Sequence, residues 1–249
     1  MPCKQLIIFD LDDTLVDTSD IYWRARSTFV EKLTEYGLEA EKIIEEFEKI
    51  DSINIKTLGF APNRYEKSML DTYQHFVSQG ELSLSSADEI ISCINFCSRI
   101  IEEAIPELIE GAKYLLDWAS RYFKLALLTR GEDYLQKKKL CRTGLYRYFD
   151  LDFIRVVSKK DANTFKQFLD CVGYHPDNTW IVGDSIKSDI NPGIEIGAIC
   201  VLYIYRHHSY YWSQEHGCSS LGSFYKTNSL QQIKEILESP LKFQMVTEA

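Results

Sequence analysis

The stretch Ile7-Ile8-Phe9-Asp10-Leu11-Asp12-Asp13-Thr14-Leu15 decides the fold, because an apolar run stops abruptly in three carboxylates and a hydroxyl. Residues 6–9 form a short, β-rich run, as expected of a central strand in a parallel sheet covered on both faces. Asp10, Asp12 and Asp13 then crowd at the end of that strand, beside a low-dielectric core. Two like charges ~4 Å apart repel by about 4 kcal/mol at an effective dielectric near ~20. Such a cluster either sheds charge by protonation or gains a cation. Mg2+ suits it, being a hard ion that takes oxygen ligands and binds through a carboxylate or two plus a substrate phosphate. The same residue types also suit a surface turn in which Asp12, Asp13 and Thr14 cap the next helix.

The chain has 249 residues, 45% hydrophobic and 26% charged, which is ordinary for a folded globular protein and argues against disorder or coiled coil. No apolar run approaches the ~18 residues of a membrane span. The N-terminus leads straight into the strand without a secretory apolar region, so a cytoplasmic location is expected. Seven scattered cysteines without a Cys-x-x-Cys pair argue against a disulfide framework and a zinc ribbon. Cys93 and Cys97, four apart on an expected helix, read as small packing residues. A formal net charge of -9 disfavours binding to nucleic acid or anionic membrane, so a site for an anion has to supply its own positive charge.

After Leu15 the apolar period turns helical. Helices are expected over 19–36 (stripe Ala25, Phe29, Leu33), 39–51 (Ile43, Ile44, Phe47, Ile50), 62–79, and from 86 onward (Ile90, Ile91, Ile94, Cys97, Ile100, Ile101), with Pro106 closing the block. Beyond it helix and strand alternate, the pattern of parallel crossover units. Helices are expected over 111–122, 132–143 and 163–172, and strands over 124–128, 152–157, 179–182 and 198–203. Ser229-Leu230-Gln231-Gln232 reads as a capping box opening a last helix with Leu230, Ile233, Ile236 and Leu237 inward. The economical arrangement is a doubly wound α/β core of residues 1–16 and 107–249, interrupted by a helical cap domain of residues 17–106. In such sheets the site lies at the carboxyl ends of strands, at the switch point, and the insertion leaves the core at that edge.

Three more strand ends bear on the first. Thr129-Arg130-Gly131 follows one strand, Ser158-Lys159-Lys160-Asp161 another, and Gly183-Asp184-Ser185 with Asp189 a third. Together with 9–15 they resemble the haloacid dehalogenase (HAD) superfamily, in the branch with a helical (C1-type) cap inserted after the first motif. The resemblance spans the whole core and is most specific at 9–15 and 183–189. Arg130 departs from the asparagine that often follows the motif II hydroxyl. The resemblance implies a Rossmann-like core and Mg2+-dependent hydrolysis of a small phosphorylated metabolite, such as a nucleotide, sugar phosphate or phosphoglycolate, by a monomer or homodimer.

It also implies roles. Asp10 would attack phosphorus, a carboxylate being nucleophilic at neutral pH without prior deprotonation. Asp12 would protonate the leaving oxygen and then activate water. Asp10 and Asp184 would hold Mg2+ through their side chains and Asp12 through its carbonyl, with Asp189 orienting metal waters or the lysine. Thr129, Arg130 and Lys160 would face phosphate; Lys160 is preferred to Lys159 because Lys-Asp-x-x-Thr-Phe resembles the family's lysine followed by a helix. Asp12 favours a phosphatase over a 2-haloacid dehalogenase, whose halide leaving group needs no proton. A phosphomutase and a catalytically silent regulator share parts of this pattern.

Within residues 59–68, Arg64 and Ser68 lie four apart on one helix face. They are candidates for substrate contact or for an ordinary solvated face, and Asn54 is a weaker candidate. Tyr203, Tyr205, Tyr210, Tyr211 and Trp212, with His207 and His208, read as a ligand surface, a subunit surface or packing for a long loop.

Overall fold

The computed structural model describes residues 4–59, 63–205 and 219–247. They fall into two compact units, Met1–Ser19 with Ile105–Ala249, and Asp20–Ala104. Strand β1 (Leu6–Phe9) is fully buried, and β2 (Val16–Asp17) follows it. Four helices come next: α1 (Thr18–Thr34), α2 (Ala40–Leu58), α3 (Arg64–Ser78) and α4 (Ala87–Glu103). Then β3 (Glu107–Leu108) pairs antiparallel with β2, so the chain leaves and re-enters the α/β unit through adjacent strands.

The alternation beyond it runs α5 (Ala112–Tyr122), β4 (Lys124–Arg130), α6 (Asp133–Arg142), β5 (Ile154–Val157), α7 (Ala162–Val172) and β6 (Thr179–Gly183). It ends with α8 (Asn191–Ile196), β7 (Ile199–Tyr203), β8 (Tyr225–Thr227) and α9 (Leu230–Glu238). Six parallel strands lie in the order β5-β4-β1-β6-β7-β8. The chain winds outward from β1 through β4 to β5, then crosses back over β1 to β6. The carboxyl end of β1 is therefore the switch point, where crossovers diverge and leave a crevice.

Both sheet faces are covered, as the unbroken apolar run of β1 requires. Ile7 and Phe9 join Leu125, Leu127, Trp180 and Val182 under α5 and α9. Leu6 and Ile8, one residue out of phase, join Ala126, Leu128 and Ile181 against Phe165, Phe168 and Leu169 of α7. This is the two-residue period of a strand buried on both sides.

In the helical unit Ala25, Phe29, Leu33, Ile43, Phe47, Ile90, Ile94 and Cys97 are buried as their spacing predicts, whereas Ile91 is exposed. Helix α2 runs to Leu58, past the stop expected at Asp51. Asp51 and Asn54, polar enough to suggest an end, are buried and bonded to α3 instead. At α9 the Ser229 hydroxyl accepts from Gln232 N at 3.4 Å, but the Gln232 carboxamide engages Thr227 rather than returning to Ser229, so the capping box is half made. No helix among the described residues is long and apolar enough to cross a membrane.

Candidate active site

Register alone gathers the strand ends. Phe9 is level with Leu127 of β4 and Val182 of β6, and Thr129 is level with Val156 of β5. Asp10 follows immediately, its N–H donating to the Val182 carbonyl at 2.9 Å. Asp10, Thr129, Lys160 and Asp184 thus emerge from four neighbouring strands at one edge.

Lys160 is buried between two carboxylates, donating to Asp10 Oδ1 at 2.7 Å and also to Asp189 Oδ1. Lys159 is exposed and pairs with Asp161 at 2.9 Å, away from Asp10 and Asp189. Asp189 reaches back because residues 186–190 form a single π-turn, with Ile190 N donating to Ser185 O at 3.1 Å. Such turns are frequent at functional sites. Asp189 Oδ2 accepts from Ser185 N at 3.2 Å, and its side chain lies directly over Gly183, where any Cβ would overlap it.

One oxygen each from Asp10, Asp184 and Asp189 lie within 4.8 Å of one another. Three carboxylates face one ammonium, and two of them, Asp10 and Asp184, are shifted upward. Burial lifts the Asp10 carboxyl to about 6 against the pull of Lys160, with Asp189 and Asp12 adding repulsion. Burial also lifts Asp184 well above the carboxylate range, with help from Asp10, Asp189 and Asp13. Burial by itself would lower Lys160, but Asp10 and Asp189 outweigh it and hold the lysine charged. An all-oxygen set with surplus negative charge fits a hard divalent cation such as Mg2+. With both Asp189 oxygens engaged, Asp10 and Asp184 are the side chains suited to hold it.

Asp12 sits in a different setting. Burial would raise it, but Lys139, Thr18 and Gln136 bind its carboxylate and hold it below the ordinary value. Lys139 Nζ donates to Oδ1 at 2.6 Å and Gln136 Nε2 to Oδ2 at 2.7 Å. Gln136 also donates to Thr129 Oγ1 at 2.7 Å and to the Arg130 carbonyl at 3.0 Å. Gln136 and Lys139 escaped the sequence reading, although a three-residue spacing on a helix just after Thr129 puts both on one face.

Asp13, in left-handed backbone at φ 54, caps α1. Its Oδ1 accepts from Thr18 N at 3.1 Å and Ser19 N at 2.9 Å, and its Oδ2 from Ser19 Oγ at 2.5 Å. The capping alternative is therefore correct for Asp13, while Asp12 binds Lys139, Gln136 and Thr18 instead.

Arg64 and Ser68 are buried together in the helical unit, on one face of α3, with Arg64 paired to Asp51 and Ser68 Oγ donating to Asp51 at 2.6 Å. A solvated face is excluded. Asn54 joins them, donating to Ser68 Oγ at 3.2 Å. Tyr203 stacks on Tyr205, whose hydroxyl donates to Asp17 at 2.7 Å. His207, His208, Tyr210, Tyr211, Trp212 and residues 60–62 lie outside the described residues.

Residues 4–197 match the family described as haloacid dehalogenase-like hydrolase. The glyceraldehyde 3-phosphate phosphatase of Methanocaldococcus jannaschii is 27% identical over 237 residues, spanning 94% of this chain and 96% of that one. The pyrimidine 5'-nucleotidase YjjG of Escherichia coli is 31% identical over 134 residues, 52% of this chain and 56% of its own. Among solved structures, a haloacid dehalogenase-like hydrolase from Xanthomonas campestris superposes with a TM-score of 0.75 at 20% identity, covering 95% of this chain and 96% of its own. A switch-point carboxylate cluster, the order of the strand-end motifs and a family match over most of the length agree: the chain belongs to the haloacid dehalogenase-like hydrolases.

Proposed function

We propose that the protein is a Mg2+-dependent phosphatase of small phosphate monoesters, working through an aspartyl-phosphate on Asp10. The observation that carries this reading is the contrast between Asp10 and Asp12, two residues apart in opposite environments. Asp10 is buried with Asp184, Asp189 and Lys160, where charge neutralisation is needed. Asp12 is held apart by Lys139, Gln136 and Thr18, which fix its carboxylate two residues from the nucleophile.

In this reading an Asp10 oxygen attacks phosphorus while the bond to the leaving oxygen breaks and Asp12 delivers a proton to that oxygen. Water then attacks the same phosphorus, its proton passes to Asp12, and the bond to Asp10 breaks to release phosphate. Thr129 donates to a phosphoryl oxygen beside Arg130, and Lys160 offsets charge on nucleophile and phosphate. Asp189 keeps Lys160 in place. Asp10, Asp184 and the Asp12 carbonyl would hold Mg2+, which would supply further charge neutralisation, most of what phosphoryl transfer demands.

Residues 17–106, inserted where β2 and β3 pair, are read as the cap domain that sets specificity. The full-length likeness to a glyceraldehyde 3-phosphate phosphatase makes short sugar phosphates the first substrates to try, with nucleotides next. The test is phosphate release from a panel of phosphorylated metabolites with Mg2+, beside an Asp10→Asn variant. Release by the parent and not by the variant is expected. Equal release by both would sink the mechanism, and phosphoryl exchange without net release would favour a mutase.

A further inference from the structure

We infer that Gln136 is a positioning residue for the reaction, one amide that sets the Asp12 carboxyl and the Thr129 hydroxyl in a common register. The inference rests on the phosphatase reading above and gives Gln136 a task of its own in it. Gln136 lies in the second turn of α6 and is 2% exposed. Its Nε2 is within hydrogen-bond distance of Asp12 Oδ2, Thr129 Oγ1 and the Arg130 carbonyl, at 2.7, 2.7 and 3.0 Å. The amide nitrogen carries two protons, so three acceptors converge on two donors. A carboxylate and a carbonyl only accept, and that fixes which end of the amide faces them.

The consequence for Thr129 is directional. Its oxygen accepts from Gln136, so its own proton is not consumed in that contact and can be aimed at a phosphoryl oxygen. The consequence for Asp12 is positional. Gln136 holds one carboxylate oxygen while Lys139 and Thr18 hold the other, so the group that hands a proton to the leaving oxygen is fixed from both sides. Gln136 thereby ties the phosphoryl-oxygen donor to the leaving-oxygen donor, a coupling that rewards orientation.

The surrounding backbone makes room for this amide. Gly131 has φ +149, and a Cβ there would lie 3.2 Å from Gln136 Cγ and Cδ. Glycine at that position satisfies the backbone and clears space for the Gln136 side chain.

The test compares parent, Gln136→Met and Gln136→Glu as full-length protein with Mg2+. The substrates are a simple alkyl phosphate and 4-nitrophenyl phosphate. An alkoxide leaves only with a proton, whereas 4-nitrophenolate leaves without one. General acid catalysis contributes ~10²–10⁴-fold, so kcat/KM for the alkyl ester should fall at least about tenfold further than for the aryl ester in both variants. Equal losses on the two esters would overturn the inference, because a generally disturbed site does not discriminate between leaving groups.

A second readout needs no turnover. The melting temperature lost on Gln136→Met should shrink when Asp12 is already alanine; strictly additive losses would refute the tie. If the parent releases no phosphate from any ester, the phosphatase reading falls, while the melting comparison still decides whether Gln136 and Asp12 are coupled.

Discussion

Lys160 donates to Asp10 Oδ1 at 2.7 Å, from the loop after β5 to the residue after β1, and its other carboxylate contact is Asp189. One ammonium therefore joins three strand ends, and the lysine next to it in sequence does none of this.

That difference predicts unequal losses. Lys160→Met leaves two carboxylates buried without their counter-charge, and breaking a buried pair from one side costs ~3–5 kcal/mol. Metal-free protein should lose a corresponding part of its thermal stability, and phosphate release should fall by about 10²-fold or more, the scale of losing an electrostatic stabiliser. Lys159→Met removes an exposed pair, expected to contribute ~0–1 kcal/mol. Melting curves and phosphate assays on both variants check this, and equal effects would contradict the placement.

Gly183 should tolerate no side chain. The Asp189 carboxylate lies where a Cβ would stand, and the Gly183 backbone is not left-handed, so the conflict is purely steric. Gly183→Ala should push Asp189 off Lys160 and lower activity by at least about tenfold, an effect of misplacement rather than lost chemistry. A crystal structure of the variant with Asp189 unmoved and activity intact would rule this out.

Stability and pH are linked through the same carboxylates. Burial lifts Asp10 to about 6 and Asp13 to about 6, and lifts Asp184 as well. A folded value above the unfolded ~3.9 means that the stabilising contribution is complete below about pH 4 and is lost as pH rises through about 6. Asp12 moves the other way, so its contribution is present above its unfolded value and is lost only as pH falls below that range. Metal-free protein should therefore melt higher near pH ~5 than near pH ~7.5, and added Mg2+ should raise the melting temperature more at the higher pH, because proton and metal compete for the same oxygens. A Mg2+ shift that is equal at both pH values would argue against these carboxylates as its ligands.

Asp13 is the carboxylate for which a scaffolding task is visible. Its three contacts to Thr18 and Ser19 fix the first turn of α1. Asp13→Ala loses the cap and keeps the left-handed strain, so a destabilisation of ~1–2 kcal/mol is expected. Asp13→Asn, which keeps an accepting oxygen and tolerates φ 54, should lose less. Denaturant unfolding of the two variants separates these costs.

What the sequence reveals follows the range of each signal. Residues 6–9 announce a central strand because four apolar side chains end at a charge, and the stripes on α1 and α4 announce helices because their period is local. The β2 and β3 pairing is two residues long and joins positions far apart in the chain, so no local period carries it. Asp51 and Asn54 look like a helix end because polar residues are usually solvated; only α3, arriving later in the chain, supplies their partners. Gln136 is invisible for the same reason, since its meaning depends on Asp12, 124 residues earlier.

Arg64 offers the sharpest separation of scaffold from specificity. It is 2% exposed and paired with Asp51, which Ser68 also binds. Removing only the arginine strands a buried carboxylate, so Arg64→Ala should destabilise by ~3–5 kcal/mol. Replacing both charges, as in Asp51→Leu with Arg64→Met, should cost much less, since well-packed apolar pairs often match a buried ion pair. If Arg64 serves only the helical unit, the double variant should recover the parent's preference among phosphate esters along with its stability. If it also touches substrate, stability returns while the preference stays altered. Thermal melting and kcat/KM ratios for two esters of different size distinguish the outcomes, and the double variant remaining as unstable as Arg64→Ala would show that the Asp51 pair is not what Arg64 stabilises.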